Sequence, residues 1–397
     1  MRILMTNWIY APEFSGAALQ SHRLALQLSR MGVNVEVLTG TDNADLVGQT
    51  QVDGIPVIRV LRDKSSMTHH AKYAWDVFEF IVKNRKKYDL LHSHGFQAPV
   101  NVAAKVTGLP LVQKITNLNV DDPITVSRKR LGNFFMNLYQ SSRAVIATSK
   151  LLEDTCKIAL GEGYSTFRIP NGVDTNLFAP ISALEKSLLR RKLGIPEDRV
   201  VLLTVGMVSY VKGLDMLLKA LYVLKKTARR DFLLLVVGPR ESRLAFGRSD
   251  PRVKRFVTEI DEMINVLGLQ DVVRFEGNRQ NVHEYMKAAD VYVHPSRQEG
   301  QPNALLEAMS SSLPCVANLI PGITDEITQN GKFGFIVDCE DKVEFAAALK
   351  IFLHNPNVRK RIANNARRQI VQKYDMKIIA ETYYRLYQKI LITEEAR

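Results

Sequence analysis

Short apolar runs alternate with segments of helical spacing along the chain, and the alternation starts afresh near its middle. Strands that alternate with helices build parallel sheets with helices packed on their faces. The first series of apolar runs falls at residues 2–6, 33–38, 90–92, 111–115 and 144–147. Between its first two members, residues 17–31 carry apolar side chains at helical spacing and stop at Gly32, a residue suited to ending a helix. The second series falls at 200–205, 232–237, 272–275, 291–294, 315–317 and 335–337. Between the two series lie a turn-rich stretch, Ile169-Pro170-Asn171-Gly172-Val173-Asp174, and a polar segment over 180–197 that reads as a linker and leading helix. The pattern predicts an α/β protein of two doubly wound domains that meet near 175–195. An amphipathic, Tyr-rich helix over 378–392 follows. At roughly 100–200 residues per domain, the length suits this division.

Open parallel sheets bind ligands outside the carboxyl ends of their strands. If both sheets face a central cleft, each domain can hold one of two substrates, and closure can exclude water from the reaction. The balance of 54 Lys+Arg against 41 Asp+Glu leaves a net charge of +13, which suits phosphorylated ligands, an anionic membrane surface or nucleic acid. Two basic clusters stand out. Lys83, Arg85, Lys86 and Lys87 close a helical stretch and read as a solvated face. Arg128, Lys129 and Arg130 precede Leu131, Phe134, Phe135, Leu138 and Tyr139 at helical spacing. That second segment either packs on its own domain or lies on an anionic membrane. Cys156, Cys315 and Cys339 lack metal-ligand spacing and read as buried thiols in a reducing compartment. No run approaches the ~20 apolar residues that span a bilayer, and the N-terminus does not read as a signal peptide.

The stretch Pro295-Ser296-Arg297-Gln298-Glu299-Gly300-Gln301-Pro302-Asn303-Ala304-Leu305-Leu306-Glu307-Ala308-Met309 carries the most chemistry. A strand ends at His294, and Pro302 marks a helix start. The amides of Gly300 to Leu305 are then expected to be exposed as a site for a diphosphate or a developing oxyanion. Glu299 stands beside them and Glu307 lies about one turn into the helix, where a carboxylate can accept two sugar hydroxyls.

The stretch EGQPNALLEAM resembles the signature of the retaining, nucleotide-sugar-dependent glycosyltransferases of family four (group 1), which adopt the GT-B fold. IPNGVDTNLFAP at 169–180, KGLDMLLKAL at 212–221, AADVYVHPS at 288–296 and the opening APEFSGAALQSHRLALQLSRMGVNVEVLT are similar to further family segments in the same order. The resemblance implies two Rossmann-like domains facing a cleft. Residues 1–178 would bind the acceptor and 179–375 the nucleotide sugar, with 376–397 packing back toward the N-terminal domain. Glu299 would contact the transferred sugar, Lys212 would neutralise the diphosphate, and Glu307 would bind the ribose. Gly16, Gly300, Gln301, Pro302, Asn303, Ala304 and Leu305 would complete the donor site. The donor would be a UDP- or GDP-sugar, with no cofactor and no metal. The acceptor would be a glycan or lipid-linked hydroxyl of bacterial surface polysaccharide or glycolipid synthesis. The protein would be cytoplasmic, with peripheral contact on the inner face of the cell membrane, and would bind no nucleic acid.

Several positions depart from the family pattern. Met207 follows Gly206 where many members place an Arg, so Lys212 and the helix amides must suffice or Arg297 or Arg240 must substitute. Ala17 replaces the second glycine of the first loop, Ser312 stands where Gly is usual, and Pro321-Gly322 replaces a double glycine. The loop KITNLNVDD lacks the family His, leaving Asn117, Asn119 or Asp121 to meet the acceptor. His94, in LLHSHG, is a candidate acceptor contact, a packing residue or, with His92, half of a metal pair. Rival readings are another GT-B enzyme, such as a nucleotide-sugar epimerase or phosphorylase, and a basic non-catalytic binding protein. A dinucleotide-dependent oxidoreductase lacks its Gly-x-Gly-x-x-Gly here.

Overall fold

A computed structural model of the chain describes all residues except 14, 63–66, 229–230, 242–249 and 396–397. The chain forms two compact units, Met1–Gly172 with Met376–Arg397, and Val173–Asp375.

The first unit is built on an eight-stranded sheet. Its strands are β1 (Arg2–Asn7), β2 (Asn34–Thr41), β3 (Gly48–Val52), β4 (Ile55–Leu61), β5 (Leu90–His94), β6 (Leu111–Lys114), β7 (Ala144–Ala147) and β8 (Thr166–Arg168). They lie in the order β3-β4-β2-β1-β5-β6-β7-β8, parallel except for the β3–β4 hairpin. That hairpin turns at Asp53 and Gly54, both at positive φ (49° and 82°), which Asp and Gly tolerate best. Ile3, Met5, Val35 and Val37 enter one core, and Leu4 and Leu38 enter another, because successive strand residues point to opposite faces. The C-terminal helix Met376–Glu395 joins the first of these cores through Ile379, Ala380, Tyr383, Leu386, Tyr387 and Ile390, against Ala25 and Leu28 of the helix Gly16–Arg30.

The second unit has six parallel strands: β9 (Val200–Val205), β10 (Phe232–Val237), β11 (Val273–Gly277), β12 (Val291–His294), β13 (Cys315–Asn318) and β14 (Phe335–Val337). Their order is β11-β10-β9-β12-β13-β14. Val200, Leu202, Leu234 and Val236 fill one core while Val201, Leu203, Leu233 and Leu235 fill the other. Burial on both faces is why these strands read as unbroken apolar runs. Among the described residues no helix is long and apolar enough to cross a membrane. Cys156, Cys315 and Cys339 are all buried, and burial pushes the Cys156 thiol up to about 12.

The chain passes between units at Gly172–Val173, six residues before the expected 178/179 boundary. Val173 bridges to Asp375 and its N–H donates to the Tyr374 carbonyl at 2.8 Å, while Phe178 is buried in the second core. The polar segment 180–197 holds the expected leading helix but is not free connecting chain. It carries the helix Ala183–Lys192, opened by a Ser182–Glu185 capping box, and Arg190 is buried with its guanidinium 2.6 Å from Asp290. Charge in this segment reflects ion pairing on the second unit rather than a free connection.

Candidate active site

Strand order in the second sheet reverses at β9 and β12: the chain runs outward from β9 through β10 and β11, then outward on the other side from β12. The carboxyl ends of these two neighbours are the switch point at which open parallel sheets hold ligands. Gly206 and Met207 follow β9, and Pro295 and Ser296 follow β12; with Lys212 and His294 they line a small cavity of about 20 Å³.

Lys212 closes the short 3-10 turn Tyr210–Lys212, ahead of the helix Leu214–Thr227. Gly213 joins the two at φ 69°, and a Cβ there would lie 2.0 Å from the Pro295 carbonyl oxygen. Glycine therefore permits the loop after β9 to pass against the loop after β12. Two hydrogen bonds lock this contact: Arg297 N–H donates to the Val211 carbonyl at 2.8 Å and Ser296 Oγ to the same oxygen at 3.2 Å.

This packing brings Lys212 onto Glu299. Glu299 Oε1 accepts from Lys212 Nζ at 2.6 Å and from Ser296 Oγ at 2.7 Å, with His294 Nε2 at 3.4 Å. The Glu299 side chain is 10% exposed and that of Lys212 is 36% exposed. Burial alone raises a carboxyl pKa; here the charge and hydrogen bond of Lys212, with His294 close by, outweigh it and hold Glu299 well below the usual carboxylate range. Glu299 is thus a fixed anion and a weak base. Beneath it, burial first, then Cys315, Glu299 and Glu307, keep the Tyr292 phenol protonated.

Both arginines named as stand-ins for the cation missing beside Gly206 are paired with carboxylates. Arg297 is gripped by Asp215 through two bonds of 2.8 Å, reaches Glu340 at 3.0 Å and stacks on Tyr210 at 4.0 Å. Arg240 pairs with Asp261 and stacks on Phe275. Among the described residues Lys212 is the one Lys or Arg lining the cavity.

The helix Asn303–Ser310 follows, with Pro302 as its N-cap rather than its first turn. Its first turn closes from Leu306 N–H to the Pro302 carbonyl at 3.3 Å, so the amides of Asn303, Ala304 and Leu305 precede the hydrogen-bonded ladder. The expected exposure of the whole 300–305 run is not found: Gly300, Gln301 and Pro302 are buried, and Leu305 is fully buried in the core, while Asn303 and Ala304 are half-buried. An apolar face on so short a helix must be buried to hold it. Glu307 lies on this helix, 5% exposed.

The remaining candidates sit in the first unit. Gly16 is the first residue of a helix, capped by Ser15 Oγ accepting from Ala18 N–H at 3.0 Å, and not part of a loop. His94 is 2% exposed, with its ring 4.3 Å from that of His92. Burial, then His92 and Lys114, keep His94 neutral. Asn119 is exposed, at φ 62°, its N–H on Asp122 Oδ2 at 2.7 Å. Asp121 is buried, accepting from Thr116 and Asn117; burial pushes its carboxyl up to about 6 against those bonds. Among the described residues no three His, Cys, Asp or Glu side chains come together to hold a metal ion. Sequence reasoning missed His294, Ser296 and Asp215. The signal for the first two was their place at the carboxyl end of a parallel strand.

Comparison with known proteins matches these elements. The family model for glycosyl transferases group 1 covers residues 185–369, and that for the glycosyl transferase 4-like domain covers 15–172. An uncharacterised glycosyltransferase of Methanocaldococcus jannaschii is 26% identical over 98% of both chains. The UDP-Gal:alpha-D-GlcNAc-diphosphoundecaprenol alpha-1,3-galactosyltransferase of Escherichia coli is 28% identical over 74% of this chain and 73% of its own. The crystal structure of Anabaena HepE in complex with UDP and glucose superposes with a TM-score of 0.79 over 98% of this chain and all of that one, at 23% identity, and shares the GT-B fold. With both domain models in sequence order and the two parallel-sheet units they require, this chain belongs to the group 1 glycosyltransferases.

Proposed function

We propose that the protein transfers a sugar from a nucleoside-diphosphate sugar to a hydroxyl of a glycan or lipid-linked acceptor, with retention of the anomeric configuration. The observation that carries this reading is the Lys212–Glu299 pair at the switch point of the second sheet, one loop from a helix start. The second unit holds the donor. Lys212 Nζ and the amides at Asn303 and Ala304 meet the diphosphate, and Glu307 takes the ribose hydroxyls. Glu299 positions the transferred sugar; a carboxylate held so far below its usual range does not act as the base. The C1–O bond to the diphosphate breaks, the acceptor oxygen bonds C1 from the same face, and its proton passes to the departing phosphate oxygen. Lys212 stabilises the charge left on the diphosphate.

The first unit takes the acceptor, with Asn119 at its surface and His94 acting from beneath, through packing. Lipid-linked glycan is favoured because the Escherichia coli relative is named for a diphosphoundecaprenol acceptor. UDP is favoured because that relative's donor is UDP-Gal and the Anabaena neighbour is bound to UDP and glucose. Membrane contact is supported by the exposed Arg128, Lys129, Arg130, Leu131 and Phe134, while Leu138 and Tyr139 of the same segment are buried and fasten it to the unit.

The test is a panel of nucleotide sugars offered with a lipid-linked acceptor and followed by proton NMR. The reading expects one nucleoside-diphosphate sugar to be consumed and the product to keep the donor's anomeric configuration. Release of sugar phosphate on adding inorganic phosphate, epimerised donor, or an inverted product contradicts it.

A further inference from the structure

The segment that delivers Lys212 to Glu299 has little of its own to hold it. Tyr210 and Val211 are exposed, and the turn they form with Lys212 closes through Lys212 N–H on the Ser209 carbonyl at 3.0 Å and Gly213 N–H on the Tyr210 carbonyl at 3.1 Å. A single 3-10 turn has poor hydrogen-bond geometry and does not fix a long side chain by itself. The grip on it comes from the loop after β12, through Arg297. Arg297 N–H donates to the Val211 carbonyl at 2.8 Å, and its Nη1 donates to the Tyr210 carbonyl at 2.8 Å. The guanidinium lies 4.0 Å from the centroid of the Tyr210 ring, which Phe256 meets edge-on at 6.1 Å. Beyond Lys212, the same guanidinium forks onto Asp215 in the first turn of the helix Leu214–Thr227, Nη1 on Oδ1 and Nη2 on Oδ2, each at 2.8 Å. Arg297 therefore holds the chain on both sides of Lys212.

A side chain that positions another must itself be anchored, and Arg297 is. The carbonyl of its neighbour Ser296 accepts from Asn318 Nδ2 at 3.0 Å, at the end of β13. Asn318 Oδ1 in turn accepts from Cys339 N–H at 3.0 Å, just after β14, and Arg297 Nε reaches Glu340 Oε1 at 3.0 Å. The arginine thus stands on the ends of three neighbouring strands and reaches across to the loop after β9. The Arg297 and Asp215 side chains are 17% and 12% exposed. A bidentate pair so shielded from water fixes geometry far more firmly than a surface ion pair.

We propose that Arg297 is a positioning residue for the transfer reaction: it clamps the 210–215 segment to the ends of β12, β13 and β14 and so sets the Lys212 ammonium at Glu299, acting through Lys212 rather than on the donor. The contacts explain why the residue is an arginine. A lysine at 297 could reach one Asp215 oxygen but could neither fork onto both nor lie flat on Tyr210. The role in turnover rests on the donor reading above, because it is the charge developing on the diphosphate that Lys212 must meet at a fixed place. The clamp itself is a matter of geometry and is read separately.

The test has two readouts on the full chain. A crystal structure of Arg297→Gln is expected to show Lys212 Nζ withdrawn from Glu299 Oε1, from 2.6 Å to beyond the ~4 Å of an ion pair. A pair still closed overturns the proposal. The second readout is a double-mutant cycle on nucleoside diphosphate release from the donor found by the nucleotide-sugar panel. Arg297→Gln alone is expected to lower kcat about tenfold or more with donor KM within about threefold. In the Lys212→Met background it should cost less than about threefold further, since nothing is left to position. Losses that multiply overturn the proposal. Arg190→Gln removes another shielded arginine from its carboxylate, Asp290 ahead of β12, and controls for lost stability. Its kcat should stay within about threefold of the parent, and a fall matching that of Arg297→Gln overturns the proposal. Arg297→Gln leaves the Asp215 carboxylate shielded and unpaired, so Asp215→Asn, which loosens the same fork and leaves Arg297 its Glu340 partner, is made beside it and carries both readouts if the first variant does not fold. A parent that consumes no nucleotide sugar overturns the donor reading, and the crystal structure still decides the clamp.

Discussion

Replacing Lys212 with Met tests the site at the one cation that lines it among the described residues. The substitution keeps most of the side chain's length and removes the charge 2.6 Å from Glu299 Oε1. Two unit charges at that distance attract by roughly 2–6 kcal/mol for effective dielectrics between water and a protein surface. The Lys212 side chain is 36% exposed, so screening takes the low end, and Glu299 keeps its bond from Ser296 Oγ. A net stability loss of about 1–2 kcal/mol follows, which lowers Tm by roughly 2–8 °C in a unit of this size. The effect on turnover is larger. A group that stabilises charge as it develops is worth about 100- to 1,000-fold in kcat. The assay pairs calorimetric unfolding with nucleoside diphosphate release from the donor found by the nucleotide-sugar panel. A folded Lys212→Met variant with kcat within about threefold of the parent refutes the reasoning, because among the described residues no other Lys or Arg lines the cavity to compensate.

Three further outcomes follow. Glu299→Gln should cost kcat more than about tenfold with UDP affinity nearly unchanged, whereas Glu307→Gln should weaken UDP binding about tenfold; isothermal titration with UDP separates the two. Gly213→Ala should destabilise by at least about 2 kcal/mol in urea titration, since its Cβ meets the Pro295 carbonyl at 2.0 Å and the residue sits at φ 69°. Lys114 is buried, its ammonium held by Asn171 Oδ1 at 2.9 Å, and burial lowers its pKa to about 7. The unfolded chain therefore binds the extra proton between about 7 and 10.5, so stability should rise with pH across that window, by up to about 1.4 kcal/mol per unit, and Lys114→Met should flatten the rise in chemical unfolding curves.

The second sheet was legible because its strands are buried on both faces, which leaves apolar runs such as Phe232–Val237 without interruption. The hairpin of β3 and β4 was missed although Asp53-Gly54 announces a tight turn between two candidate strands; β3 is exposed along its middle and reads as polar chain. The three-residue β8 is too short to show a period. The crossing at Gly172 falls inside the turn-rich stretch 169–174, but turn residues alone do not say at which of them the chain changes unit. What sets it is the pairing of Val173 with Asp375, which lie far apart in sequence. In the site, the spacing of Glu299, Gly300 and Glu307 carried the reading. The partners that fix Glu299 were not legible, since Lys212 reaches it only through the contact at Gly213, and His294 and Ser296 look like ordinary strand and loop residues until the strand end is placed.

The most direct measurement is a crystal structure of the protein with UDP. The account predicts the diphosphate on Lys212 Nζ and the amides of Asn303 and Ala304, with the ribose hydroxyls on Glu307. A diphosphate bound away from the carboxyl ends of β9 and β12, with Lys212 still closed on Glu299, contradicts it.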